Sequence, residues 1–451
     1  MAANFDTDNG AGAGDSTGTG RLRVMFRALE SRNFRLFFGG QGLSLIGTWM
    51  TMVATGWLVY RLTESTVLLG VVGFCGQVPA FFLAPFTGVV ADRWDRHRLL
   101  LATQSLAMLQ ALTMAFLVLS GRITMTHIIL LSLLHGVITA FDIPARQAFL
   151  SQMIEHKEDL SNAIALNSSM FNAARLVGPS IAAVVITKTD EGICFLVDGI
   201  SYVAVIAALL AMRVPARPRN RLPQPMLREL REGLGYVIRF WPILYILLLI
   251  GGASLVGFPY TVLLPAVAKE LLGGEADTFG FLTAAAGLGA LCGALYLASR
   301  RTVIGLGLHI VLGTAAFGLS LVAVALSRWV WLSLPLMVVV GFSMMTLTAS
   351  CNTVLQTIVD EDKRGRVLSL YMMAFIGTTP FGSLLAGVVA ERFGVSGALL
   401  GGGVLCVALA IWFARALPAI RRQVRPIYVR LGILPEIASG MQAATSGSRR
   451  E

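Results

Sequence analysis

The chain has 451 residues and a net charge of +11, with 55% of its residues hydrophobic and only 14% charged. Soluble domains carry about 25% charged residues, so this composition, with a mean hydropathy of +0.73, excludes an ordinary soluble fold. Apolar runs of about 20 residues recur, the length of a membrane-crossing helix, and the alternating 10-residue segments of an outer-membrane barrel are absent.

Residues 1–32 open with MAANFDTDNGAGAGDSTGTG, a Gly/Ser/Asp-rich stretch without an apolar h-region. They read as a disordered cytoplasmic tail rather than a cleaved signal peptide. Residues 33–212 hold six spans, at about 36–60, 66–90, 99–120, 125–145, 163–186 and 193–212. The stretch 213–242 is a linker. Its first half is Pro/Arg-rich and extended. Its second half sets Leu227, Leu230, Leu234 and Val237 at helical spacing with Arg228, Glu229, Arg231 and Glu232 between them, the pattern of an amphipathic helix on the inner membrane surface. Residues 243–416 hold six further spans, at about 243–267, 278–298, 303–326, 330–352, 367–390 and 395–416. Residues 417–451 form a C-terminal tail.

With these spans, 29 of the 36 Lys/Arg fall on one face, 6 on the other and 1 inside a span. That is the positive-inside asymmetry. It places both termini in the cytoplasm, so the basic charge reports orientation and no nucleic-acid partner is expected. The five cysteines stand singly in or near apolar segments and read as packing residues rather than disulfides or metal ligands.

The two halves look like copies. At an offset of 204, Gln152, Ile154, Leu166, Phe171, Gly178, Ala182, Val184 and Val185 meet identical residues, while Gly88 and Arg96 meet Gly293 and Arg301 at 205. A shared offset in separate regions indicates a parallel six-span repeat. The fold class is therefore an all-α polytopic membrane protein of two six-helix bundles.

Ionisable residues inside spans are few and informative. Arg175 stands in the middle of the fifth span, Asp198 in the sixth, His135 in the fourth, Asp142 at the end of the fourth and His309 in the ninth. An arginine in hydrocarbon costs about 2.5–3.5 kcal/mol on insertion scales, so Arg175 faces the bundle interior or a wet cavity. Two roles stay open for it: holding an anionic substrate, or pairing with Asp198. His135 and His309 are either proton carriers or packing histidines. Asp142 and Arg146 flank Pro144; they read as an inner gate, with Asp142 capping a new helical turn and Arg146 on the leaflet surface. Gln41, Ser44, Thr48 and Trp49 in the first span, with Tyr260, Asn352 and Tyr371 in the second half, offer the hydrogen bonds and aromatic faces of a site for bulky ligands.

The junction of the second and third spans reads Gly88-Val-Val-Ala-Asp92-Arg93-Trp94-Asp95-Arg96. It resembles motif A of the major facilitator superfamily, G-x-x-x-D-R-x-G-R-R/K. Asp95 replaces the usual glycine, which leaves the turn less free to take positive φ. Phe141-Asp142-Ile-Pro144-Ala-Arg146-Gln147 and Asn172-Ala-Ala-Arg175-Leu-Val-Gly178-Pro179 are similar to the enterobactin-exporter-like, drug:proton antiporter branch, the transmembrane secretion effector type. Gly178-Pro179 resembles the hinge of antiporter motif C, with Ala182 and Ala183 in place of paired glycines. Gly387-Val-Val-Ala-Glu391-Arg392 imitates the start of motif A on the opposite face and carries no such function.

The resemblance implies a proton-coupled exporter of amphipathic small molecules, siderophore or drug-like, in the bacterial inner membrane. It implies alternating access about a midplane cavity, with Gly88, Asp92, Arg93 and Arg96 as an inner-face latch. Relatives often use a carboxylate in the first span and an arginine in the fourth; this chain has neither, Ser132 standing in the latter place. The expected partners are a small-molecule substrate, protons and membrane lipids, with the protein a monomer. No Walker A loop, HExxH, GxSxG or catalytic carboxylate pair occurs, so no enzyme activity, cofactor or metal is expected. A lysophospholipid flippase on the same fold and a non-transporting membrane sensor or scaffold are the alternatives.

Overall fold

The computed structural model describes residues 26–154, 157–212, 226–300 and 302–433. The expected tails and the extended first half of the linker therefore lie largely outside the described residues. A 3-10 turn, Arg27–Glu30, leads into α1 (Arg32–Thr63), α2 (Thr66–Arg93) and α3 (Arg96–Leu119). Then come α4 (Met125–Met153), α5 (Leu160–Lys188) and α6 (Glu191–Ala211). The linker helix is α7 (Met226–Arg239). The second half comprises α8 (Trp241–Val256), α9 (Tyr260–Ala266) with a π turn Val267–Leu271, and α10 (Ala276–Ser299). It continues with α11 (Leu306–Leu326), α12 (Val330–Ile358), α13 (Glu361–Phe375) and α14 (Thr379–Arg430).

Among the described residues, eleven stretches are long and apolar enough to cross a membrane, the last being the whole run Glu361–Arg430. Gly394 breaks that run at φ 77°, a left-handed conformation that glycine adopts without steric cost. The chain thus makes twelve passes, six in each half. The face that carries the starts of α1, α3 and α5 is called the terminal face here, and the opposite one the far face.

Several boundaries differ from the sequence reading. Residues 27–31 are packed rather than tail-like: Arg27 pairs with Asp159 at 2.9 Å, and the Ala28 N–H donates to Asn162 at 3.0 Å. At the other end α14 continues past 416 to Arg430, because Leu417, Ile420 and Val424 recur on one face and are buried. The seventh span is in two pieces, α8 and α9, since Pro259 has no N–H to continue the helix. The eleventh is likewise interrupted between α13 and α14. The Asp95 turn needs no positive φ: at φ −66° Asp95 is the N-cap of α3. Its carboxylate accepts from the His97 and Arg98 N–H groups at 2.9 and 3.1 Å, the usual way the orphan donors of a helix start are satisfied.

Within the first bundle α1 lies between α5 and α6. A side chain at Gly40 would meet the Ala204 carbonyl at 3.0 Å, and one at Gly178 would meet the Ile46 carbonyl at 2.9 Å. Small residues permit these approaches. α7 docks on α13: Glu232 pairs with Arg366 at 2.9 Å, the Tyr236 hydroxyl donates to Asp360, and Lys363 sits 4.8 Å over the Tyr236 ring.

The buried core is unevenly divided. One large apolar cluster runs through the second bundle and continues into the far-face half of the first, taking in Trp57, Leu58, Leu69, Phe195, Leu263 and Phe279. A separate cluster fills the terminal-face half of the first bundle, around Phe34, Leu100, Phe149 and Leu209. Between these two clusters lies a space lined by polar as well as apolar side chains.

Candidate functional site

That space is a cavity of about 330 Å³ on the terminal-face side of the first bundle. Its walls come from α1, α3, α4, α5 and α6, and no described residue of the second bundle lines it. This cavity lies within the first bundle rather than between the halves.

α4 supplies its charged wall. His135, Thr139, Asp142 and Arg146 are spaced 4, 3 and 4 residues apart, so they share one helix face, and all four line the cavity. Asp142 is buried to 5% exposure. Its Oδ1 accepts from Thr103 Oγ1 at 2.9 Å and Gln104 Nε2 at 2.7 Å, and its Oδ2 accepts from Arg146. A buried carboxylate is tolerated only when paired and hydrogen-bonded, and this one is both. Two expectations are corrected here. Asp142 does not cap a new turn, because α4 runs unbroken through Pro144, and Arg146 turns inward to Asp142 instead of out to the leaflet. Thr103, Gln104 and Tyr202 complete the site and were not singled out from sequence. The adjacent polar pair Thr103-Gln104 inside an apolar span was the available signal.

Gln41 also lines the cavity. Trp49 does not: its ring makes an edge contact with Phe171, centroids 5.7 Å apart, just outside the cavity wall. Arg175 lies over the same Trp49 ring at 5.7 Å, within the range of a cation–π contact worth about 0.5–2 kcal/mol. Of the two roles left open for Arg175, the pair with Asp198 does not form. Asp198 is 2% exposed and accepts from Thr51 Oγ1 at 2.9 Å on α1, while its Oδ1 has no partner. The reason is topological: α1 separates α5 from α6, so residues on those two sequence-adjacent helices do not meet there.

Gly178 and Pro179 do not interrupt α5 either. Gly178 accommodates α1. Pro179, lacking an N–H, leaves the Arg175 carbonyl without its helical donor, and that carbonyl faces α10, where a side chain at Gly287 would come within 2.8 Å of it. The same seam brings Gly280 against the Pro179 carbonyl, at 2.8 Å for an added Cβ. The pair thus serves close packing, Gly178 within the first bundle and Pro179 between the bundles.

A second seam joins α2 to α14. Side chains at Gly70 and Gly387 would meet the Ser383 and Thr66 carbonyls at 2.6 and 2.5 Å. At its far-face end Glu391 accepts from the Thr66 N–H at 3.2 Å and its hydroxyl at 3.0 Å. Nearby the Tyr60 hydroxyl donates to Glu270 at 2.6 Å. Glu391, dismissed from sequence as part of a false motif A, joins the two bundles here.

In the motif A region, the side chains of Gly88, Asp92 and Arg93 lie outside the described residues. Arg96 donates to the Ala148 carbonyl of α4 at 3.1 Å, and His97 bonds the Leu209 carbonyl of α6 at 2.7 Å. The α2–α3 junction is thereby fixed to its own bundle. His309 packs in the second bundle, bonded to Tyr296 at 2.8 Å and Arg300 at 2.6 Å. The five cysteines are free, with Cys194, Cys351 and Cys406 buried.

Comparisons with known proteins agree with this architecture. A family model described as "Transmembrane secretion effector" matches residues 24–427. The staphyloferrin A transporter of Staphylococcus aureus (strain NCTC 8325 / PS 47) is 28% identical over 388 residues, covering 84% of this chain and 95% of its own. The enterobactin exporter of Shigella boydii serotype 4 (strain Sb227) is 24% identical over 357 residues, 78% of this chain and 84% of its own. Among solved structures, a point mutant of a peptide transporter of the POT type superposes with a TM-score of 0.68 at 11% identity, covering 86% of this chain and 95% of that one.

Proposed function

The chain belongs to the transmembrane secretion effector family of major facilitator transporters, and on that basis we propose that it exports amphipathic small molecules, siderophore or drug-like, across the bacterial inner membrane in exchange for protons. It is a transporter and not an enzyme. The division of the core carries the reading. Bundles fused by apolar packing on the far face, with a cavity of mixed polar and apolar lining on the terminal-face side, suit one end-state of an alternating-access cycle.

In this reading the terminal face is cytoplasmic, which the excess of Lys/Arg there supports, and the structure represents the inward-open state. The units are residues 33–212 and 243–416, joined by the 213–242 linker whose amphipathic helix lies along the inner leaflet. The protein works as a monomer among membrane lipids. Motif A is the inner-face latch: Asp92 holds the outward-open state and releases during the cycle. Asp92→Asn expresses normally and transports poorly; full transport by a well-expressed mutant removes the latch.

The test is flux in proteoliposomes of rhodamine 6G and carboxyfluorescein under an imposed pH gradient, with and without a protonophore. Flux that collapses with the gradient supports the exporter. Absence of flux for every probe, lysophospholipid included, favours a membrane sensor. Orientation is read from single cysteines placed at Trp94 and Thr302, which react only from the cytoplasm, and at Glu64, which reacts only from outside.

A further inference from the structure

The charged pair in the cavity is asymmetric in what it shows to a ligand. Asp142 has both oxygens engaged, Oδ1 twice and Oδ2 once, and its side chain is 7% exposed. Arg146 is 25% exposed and lines the cavity. A guanidinium carries five N–H donors, and the hydrogen bond to Asp142 uses one nitrogen, Nη2. The anion is therefore turned into the wall and the cation toward the cavity. A cationic ligand would find no free carboxylate oxygen; an anionic one finds unused donors in a planar fork that matches a carboxylate.

We propose that the cavity receives its ligand through a carboxylate, which docks on the donors that Arg146 does not give to Asp142. This deepens the transporter reading and rests on it. Sharing is feasible because Arg146 stays paired with Asp142 through Nη2 while its other nitrogens turn to the ligand, and Thr103 and Gln104 donate to Oδ1, so the buried carboxylate keeps both its pair and its hydrogen bonds. His135, two turns before Asp142 on the same face, carries no hydrogen bond to a described residue and can donate to the ligand. The charged and titratable groups that line the cavity with His135 are Asp142 and Arg146 on the same face of α4 and Tyr202 on α6. Phe37, Leu45, Ile138 and Phe171 are among the apolar side chains of the wall, so the ligand class is an amphipathic carboxylic acid.

The experiment compares dansyl-glycine with its methyl ester, which differ only in the carboxylate, by fluorescence titration of the purified full-length protein. The acid binds the wild type at least about tenfold more tightly. Arg146→Gln brings the acid down to the level of the ester. Asp142→Asn keeps an oxygen for Thr103 and Gln104, removes the competitor for Arg146, and raises affinity for the acid severalfold. Equal binding of acid and ester, binding of neither, or weaker acid binding by folded Asp142→Asn overturns the proposal. Rhodamine 6G flux separates the two readings. Flux without a carboxylate preference sinks only the ligand class, whereas a carboxylate preference without flux of any probe sinks the transporter and leaves the site.

Discussion

α4 and α12 occupy equivalent places in the two bundles and are the same length, 29 residues each, starting at Met125 and Val330. At that offset of 205, His135, Asp142 and Arg146 correspond to Val340, Leu347 and Cys351, all three completely buried in the continuous core. One backbone plan thus supports a charged cavity wall in the first bundle and a closed apolar wall in the second. The repeat specifies where helices go. The residues at a single register decide whether the space between them holds water and ligand or closes as core. The second bundle departs in the opposite respect, since its seventh and eleventh spans are interrupted while the matching α1 and α5 run whole.

Converting one register into the other tests this directly. The largest effect is expected from Leu347→Asp, which places an unpaired carboxylate in closed core. It loses Leu packing worth about 2–5 kcal/mol and adds an insertion cost of about 2.5–3.5 kcal/mol. Size-exclusion chromatography of solubilised membranes should recover no folded protein. The reverse conversion, Asp142→Leu with Arg146→Cys, should fold. Replacing a buried ion pair by apolar groups is often neutral or stabilising, so thermal stability should hold while flux is abolished; retained flux would deny the cavity its role.

A smaller loss is expected at the seam that fuses the bundles. Gly387→Leu drives a side chain into the Thr66 carbonyl and should slow transport by about tenfold, equivalent to about 1.4 kcal/mol. A cysteine at Gly73 should become labelled from the far face; unchanged flux would show that the seam does not limit the cycle. The smallest belongs to Arg175→Ala. Because Arg175 is spent on Trp49, flux should fall by about threefold, in keeping with a cation–π contact of about 0.5–2 kcal/mol, and equally for anionic and neutral dyes. A shift in Trp49 emission would accompany it. A selective loss of the anionic dye would restore Arg175 to the substrate site that its place in the sequence suggested.

Much of the candidate site was legible as residues and little of it as geometry. His135, Asp142 and Arg146 stand out because charge is costly in a span. Their shared face follows from helical spacing, and the binding of Arg146 to Asp142 is an i, i+4 contact. Thr103 and Gln104 were harder to see, since single polar residues are common in membrane helices and acquire meaning only from what lies opposite. The Arg175–Asp198 pair failed because adjacency along the chain did not become adjacency in space.

Twelve apolar passes, a duplicated plan, the basic terminal face and a scarcity of buried charge follow from composition and periodicity, since each is a local transfer energy summed along the chain. Tertiary structure decided which helix lies between which, and so which partners the buried charges find. It also decided that Glu270 and Glu391 join the bundles on the far face, and that the cavity falls inside the first bundle. Those outcomes depend on close packing between segments as much as 326 residues apart, where one glycine against one carbonyl sets the approach, and no local pattern in the chain records it.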